Sequence, residues 1–123
     1  MDKLQPDVGQ TLRQVPMAQI IWNTSSSLLL EKYIDNALVE FGKTTAIRWA
    51  EAVAAFEYRV SRHPTSYPTE ELLHDREFLF RRCHIMNRRF KIIYYYDKAK
   101  DTVHVVDIWD SKMNPKTLTR RIQ

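Results

Sequence analysis

The sequence predicts an α+β fold in which a helical hairpin packs on one face of a small, mostly antiparallel sheet. Two observations predict it. Apolar residues recur at helical spacing in the first half of the chain and are interrupted by Gly42, whereas the second half holds stretches rich in Phe, Tyr, Val and Ile between short polar turns. The predicted order of elements is β-α-α-β-β-β, in a single domain over residues 19–123.

Residues 1–18 are predicted to form a flexible N-terminal arm, because they are polar, contain Pro6 and Pro16 and show no sustained period. The apolar run QIIW that follows, residues 19–22, predicts an edge strand. The arm lacks the apolar run and cleavage site of a signal peptide, and no window approaches the roughly 18 apolar residues of a membrane span. Because the lone cysteine, Cys83, also favours a reducing compartment, we expect a cytoplasmic protein.

Two helices are predicted after the polar run NTSSS, which offers a helix N-cap. The first carries an apolar stripe on one face and stops at Gly42, a residue typical of helix C-termini. The second begins near Thr44 and ends at His63 and Pro64. A glycine-containing link between two such helices predicts an antiparallel helical hairpin.

Three strands are predicted in the second half, over residues 78–86, 89–97 and 102–110, and together they form a meander. Asn87 and Arg88 suit a two-residue turn between the first two of these strands, although glycine is more usual than arginine in the second place. The tail from Pro115 predicts a last helical turn, because proline is tolerated at the first helical position.

The turn decides which residues share a face, since side chains alternate along a strand. One face is predicted to lie under the helices and holds Cys83, Ile85, Phe90, Ile92, Tyr94 and Tyr96; the same alternation points Arg81 toward the core. The opposite face is predicted to be open and basic and holds Arg82, His84, Met86, Arg89, Lys91, Ile93 and Tyr95, with Val105, Asp107 and Trp109 from the last strand. Such a face is either an ordinary solvated surface or the binding surface for an anionic or acidic partner.

The motifs of nucleotide-cofactor and metal enzymes are absent from the sequence. No GxGxxG, GxxxxGK[ST], HExxH or CxxC occurs, and the histidines have no ligand spacing with cysteine or carboxylates. We therefore predict neither a cofactor nor a metal site. Metal-independent RNA cleavage needs a base for the 2′-hydroxyl, cations for the scissile phosphate and an acid for the leaving oxygen, and His84, Lys91, Arg82 and Arg89 offer such groups.

The segments RRFKIIYYYD and VVDIWDSKMNPKTL resemble two motifs of the RelE/ParE superfamily of toxins from bacterial type II toxin–antitoxin modules. The first is similar to the family strand y-R-I-I-Y, with Lys91 where arginine is usual, and the second to the family ending I-x-x-V-x-x-x-R-x-x-P. With the strand QIIW, the helical hairpin and the proline-bounded loop before them, the resemblance covers roughly residues 19–119 and implies a RelE/ParE-like fold.

The resemblance implies a small toxin that a cognate antitoxin holds inactive by wrapping its surface, as in plasmid stabilization systems. ParE-like members poison DNA gyrase, and RelE-like members cleave mRNA in the ribosomal A site. Carried over by position, Arg82 and His84 fall near the paired lysines of the RelE-like nuclease strand, Lys91 on its central arginine and Lys112 near the arginine after the last strand. The RelE-like C-terminal tyrosine has no counterpart here, and the long hairpin is more ParE-like.

We therefore expect growth inhibition through a protein target such as DNA gyrase. Two alternatives stay open, a ribosome-dependent mRNA endoribonuclease of the RelE kind and a non-toxic relative that binds an antitoxin. The catalytic candidates, if the chain is RelE-like, are His84, Lys91, Arg82 and Lys112, and the candidates for a binding surface are Arg88, Arg89, Tyr95 and Trp109. The edge strand and the helical hairpin are the surfaces expected to meet the antitoxin.

Overall fold

The computed structural model describes residues 17–122, and their order of elements is the predicted one. The elements are β1 (Gln19–Trp22), α1 (Thr24–Phe41), α2 (Lys43–Arg62), a 3₁₀ turn (Glu71–Leu73), β2 (Phe80–Ile85), β3 (Phe90–Asp97), β4 (Thr102–Asp110) and α3 (Pro115–Arg121). The strands lie in the order β1-β4-β3-β2, with β1 parallel to β4 and the other pairs antiparallel. The predicted fold class is confirmed.

The N-terminal arm predicted over residues 1–18 lies outside the described residues except at Met17 and Ala18. Ala18 is buried in the core, and its N–H donates a hydrogen bond to the carbonyl of Ser61 at 2.7 Å. This bond ties the entrance of β1 to the end of α2. None of the helices within residues 17–122 combines the length and the apolar character needed to cross a membrane.

The helical hairpin is set by a polar cap at one end and a glycine at the other. The Asn23 side chain accepts a hydrogen bond from the Ser26 N–H at 2.8 Å and so caps α1. Gly42 adopts φ 95°, in the region that favours glycine, and its N–H bonds the carbonyls of Ala37 and Leu38. Because α2 begins at the next residue, the two helices fold back on each other as the sequence predicts.

The main core lies between this hairpin and one face of the sheet, which we call the helix face. The residues predicted to lie under the helices all belong to it: Cys83, Ile85, Ile92 and Tyr94 are buried, and Phe90 and Tyr96 pack against them while half-buried. From α2, Trp49, Val53, Phe56 and Val60 enter the same core at spacings of three and four. This part of the prediction is confirmed.

The predicted pairing between β2 and β3 is also confirmed, from Arg82 opposite Ile93 to Ile85 opposite Phe90. Asn87 and Arg88 form the turn, with φ values of 55° and 66°, and the Arg89 N–H closes it by bonding the Met86 carbonyl at 3.1 Å. Met86 itself has φ 53°, which breaks the alternation of side chains. Met86 therefore packs against the core on the helix face, and its predicted place on the opposite face is wrong.

A β-bulge in β4 changes the predicted faces a second time. Ile93 pairs with Asp107 but the next residue, Tyr94, pairs with Val105, so Val106 is the extra residue. Val105 is fully buried in the core on the helix face, and its predicted place on the opposite face is wrong. Asp107 stays on the opposite face as predicted.

The opposite face of the sheet is covered rather than open. Helix α3 and the 3₁₀ turn pack on it and form a second apolar cluster with Leu73, Phe80, Ile93, Trp109, Leu118 and Ile122. The Asn114 side chain caps α3 by accepting from the Lys116 N–H at 2.9 Å, and the Arg76 guanidinium donates to the Ile122 carbonyl at 2.8 Å. The prediction of an open face is therefore corrected, because the short tail covers most of its centre.

Candidate functional site

The structure separates the predicted basic residues into two groups. Arg82, His84 and Lys91 lie at the edge formed by β2, near the loop that precedes this strand. Arg89 and Lys112 lie at the far end of the hairpin, around Asp110. The four catalytic candidates are thus not gathered around one point, since Lys112 lines a cavity with Arg89 and Asp110, whereas Lys91 contacts Glu70 on the other side of the hairpin.

Lys91 is held in a buried ion pair with Glu70. The Lys91 ammonium contacts the Glu70 carboxylate, and their side chains are 12% and 3% exposed. The second Glu70 oxygen accepts the Leu72 N–H at 3.1 Å, which begins the 3₁₀ turn. A phosphate at Lys91 would have to compete with this carboxylate, so the arrangement makes Lys91 a structural cation rather than a free one.

His84 sits opposite Lys91 on the neighbouring strand and is half-buried. Burial lowers the pKa of His84 from its ordinary 6.5, and the charges of Arg88, Arg82 and Lys91 lower it further. Its Nε2 lies 3.4 Å from a guanidinium nitrogen of Arg88, and its buried Nδ1 has no hydrogen-bond partner within residues 17–122. A neutral imidazole can accept a proton, but it lacks the proton that an acid role at pH 7 requires.

Arg81 and Arg82 hold the loop before β2 along the strand's outer edge. The Arg82 N–H bonds the Pro68 carbonyl at 3.0 Å and its guanidinium donates to the Thr69 carbonyl, while Arg81 donates to the Tyr67 carbonyl at 2.7 Å. The loop thus covers the first half of this edge. Arg81 points toward the helix face as predicted, and there its guanidinium donates to the Tyr67 carbonyl.

Arg89 belongs to the helix face, because it lies in the turn and not in the strand. Its guanidinium binds both carboxylate oxygens of Asp110, at 2.9 and 3.3 Å. This hydrogen bond lowers the pKa of Asp110 below its ordinary value and raises that of Arg89. The Lys112 N–H bonds the same carboxylate at 3.0 Å. The prediction that Arg89 shares a face with His84 and Lys91 is therefore wrong.

A cavity of about 420 Å³ opens beside this ion pair at the tip of the helical hairpin. Its apolar walls are Trp49, Tyr33 and Phe90, whose rings contact one another at centroid distances of 4.7 to 5.6 Å. Exposed apolar side chains surround the tip: Leu38, Val39, Phe41 and Ile47. We call these four residues the tip residues. An apolar patch next to a charged pair is typical of surfaces that bind proteins.

The two aromatic candidates for a binding surface have different environments. Trp109 is 3% exposed and belongs to the second apolar cluster, so it is not available at the surface. Tyr95 is half-buried and stacks between Phe78 and His104, at centroid distances of 4.2 and 4.8 Å. Phe78, which is 46% exposed, presents the outer ring of this stack; the predicted strand over residues 78–86 included it, but it was not among the predicted binding residues, and the observed strand begins only at Phe80.

Within residues 17–122, no group of three or more His, Cys, Asp or Glu is placed to hold a metal ion. No family model matches the chain, and no curated protein matches it either. A solved structure does match, a chain of the "Chromosomal ParDE TA system from P. aeruginosa", with a TM-score of 0.59 and 11% identity. The match covers 76% of this chain and 96% of that chain.

The fold is RelE/ParE-like. At 11% identity the likeness concerns the backbone, and it agrees with the family resemblance of the two strand motifs.

Two residues that matter in the structure were missed by sequence reasoning, Glu70 and Phe78. Glu70 had a weak signal, because it precedes the apolar pair in PTEELL as a cap residue does, but its partner lies 21 residues away.

Proposed function

We propose that this chain is the toxin of a type II toxin–antitoxin pair and that it inhibits growth by contact with a protein target, DNA gyrase. The observation that carries the proposal is the fold likeness to a chain of a ParDE toxin–antitoxin system over 96% of that chain's length. Because one fold hosts several functions, the choice between target classes rests on the side chains.

The side chains favour contact over catalysis. Of the residues that the RelE-like reading requires, Lys91 is compensated by Glu70 and Lys112 lies apart from His84. The C-terminal segment contains no tyrosine. The tip residues, in contrast, expose apolar area that no other part of residues 17–122 covers, as a surface for a protein target does.

One observation favours the endoribonuclease as a second candidate. His84 is kept neutral beside Arg82 and Arg88, which suits a base near a phosphate. If the chain cuts mRNA, primer extension on translated message shows codon-positioned ends that disappear in His84→Gln. If the message stays intact while growth stops, the endoribonuclease is excluded.

Induction of the chain with and without its antitoxin tests the proposal. The chain alone is expected to stop growth, and coexpression of the antitoxin, sought first in the adjacent small gene, is expected to restore it. Phe41→Ser should reduce toxicity because Phe41 is a tip residue, whereas Leu79→Ser, at another exposed apolar residue that lies outside the tip, should not. Unimpaired growth on induction of the chain alone would identify a non-toxic relative.

A further inference from the structure

A second groove, remote from the hairpin tip, lies between α1, β4 and α3 and encloses about 420 Å³. It opens where β1 ends, because β1 pairs with β4 only as far as Val105. Leu28 and Leu29 of α1 form one wall, and Val106 of the bulge forms another. Leu28 is 61% exposed, so the groove offers apolar area that residues 17–122 leave uncovered.

The floor of the groove holds an unsatisfied acceptor. The bulge at Val106 places Asp107 there, with its side chain 4% exposed. The Asp107 Oδ1 accepts a hydrogen bond from the Arg121 guanidinium of α3. The Asp107 Oδ2 is buried and has no hydrogen-bond partner in the described part of the chain. A buried acceptor left without a donor costs free energy, and a donor that reaches it forms a strong bond.

The charges at the groove define what would fit. Arg121 already compensates the Asp107 charge, so Oδ2 requires a hydrogen-bond donor and not a second full cation. Lys32 lines the same groove from α1 and is exposed. A complementary segment therefore carries an apolar side chain for Leu28, an N–H or O–H donor for Asp107 and a carboxylate for Lys32.

We propose that this groove is a docking site for the antitoxin, which inserts a segment with these three groups between α1 and α3. The identity of the partner rests on the proposed function; the chemistry of the segment rests on the groove. The groove lies beside the part of β4 that β1 does not pair with and away from the tip residues, and this position separates the antitoxin contact from the target contact.

Isothermal titration calorimetry with the antitoxin that restores growth in the induction test measures the contribution of each group. Leu28→Ser is expected to raise the Kd about tenfold, because it removes a leucine side chain that is exposed in the free chain and is buried when the segment binds. Lys32→Glu is expected to weaken binding as well, and more at low than at high salt. Leu79→Ser is the matched control, since Leu79 is a leucine 59% exposed, close to the 61% of Leu28, and lies outside both the groove and the tip residues.

Asp107→Asn serves as a further variant, because an amide nitrogen at the position of Oδ2 repels an incoming donor. Circular dichroism of each free variant shows whether it is folded. If Asp107→Asn does not fold, Leu28→Ser still tests the proposal, because Leu28 is exposed and its replacement leaves the core intact. If Leu28→Ser and Lys32→Glu bind the antitoxin with the same Kd as the wild-type chain and Leu79→Ser, the docking site is overturned and the proposed function is left standing. A second copy of this chain is the occupant if Leu28→Ser instead abolishes self-association in sedimentation. If the wild-type chain and the antitoxin form no complex, both proposals fail.

Discussion

Replacing Lys91 by methionine is expected to destabilise the fold strongly, because it leaves the Glu70 carboxylate buried with the Leu72 N–H as its one remaining donor within residues 17–122. Removing one partner of a buried pair costs about 3–5 kcal/mol. For a domain of this length, that loss lowers Tm by roughly 12–20 °C, at about 4 °C per kcal/mol. If Lys91 instead lay on an open sheet face, as the sequence alone suggests, its replacement would change the free energy of unfolding by less than about 0.5 kcal/mol.

Urea unfolding followed by tryptophan fluorescence measures this loss, since Trp49 and Trp109 are both buried. The double variant Glu70→Gln with Lys91→Met removes both charges and is expected to recover about 2 kcal/mol relative to the sum of the single variants. Lys98→Met, at an exposed lysine of the β3–β4 turn, is the control. The buried-pair reasoning is refuted if Lys91→Met behaves like Lys98→Met, or if the two single losses simply add.

Three further predictions concern stability. Because the pKa of His84 in the folded chain lies below 6.5, the unfolded chain binds a proton there at higher pH than the folded chain does. The free energy of unfolding of the wild-type chain is therefore expected to fall as the pH drops below 6.5, by up to about 1.4 kcal/mol per pH unit. Urea unfolding at pH 5, 6 and 7 measures this dependence, and His84→Gln is expected to remove it. Asn114→Ala removes the cap of α3 and costs about 1 kcal/mol in thermal unfolding. Tyr94→Phe removes the hydroxyl that donates to the Pro64 carbonyl at 2.7 Å and costs about 1–2 kcal/mol, whereas Tyr58→Phe, at the surface, costs nothing measurable.

Each of these has a clear contrary result. Parallel pH profiles for the wild-type chain and His84→Gln would show that His84 titrates alike in both states. An Asn114→Ala variant as stable as Asn114→Asp, which keeps the capping oxygen, would show that α3 does not depend on its cap. A Tyr94→Phe variant as stable as the wild-type chain would show that the Pro64 carbonyl finds another donor.

The hairpin of β2 and β3 could be predicted down to its residue pairs, because side-chain alternation and one turn determine them. The prediction failed where the backbone departs from strand geometry without a signal in the sequence. Met86 takes a left-handed φ beside the turn, and Val106 is inserted into β4 as a bulge. Either event reverses the face of a residue, and neither alters the apolar pattern enough to be detected.

The candidate site was harder to predict, because its contacts join distant parts of the chain. Residue types alone do not show that Lys91 pairs with Glu70 or that Arg89 pairs with Asp110. A lysine or an arginine in a strand can equally well extend into solvent. Burial of Trp109 depends on α3, a helix of seven residues whose sequence carries little periodicity. The predicted basic strip is thus largely a set of internal ion pairs and loop contacts.

Supercoiling of relaxed plasmid by purified DNA gyrase tests the proposed toxic mechanism most directly. Addition of the purified chain is expected to inhibit supercoiling in proportion to its concentration, and prior mixing with the antitoxin is expected to relieve the inhibition. Phe41→Ser should require more protein for the same effect. Normal supercoiling at a saturating concentration of folded, toxic chain would contradict DNA gyrase as the target.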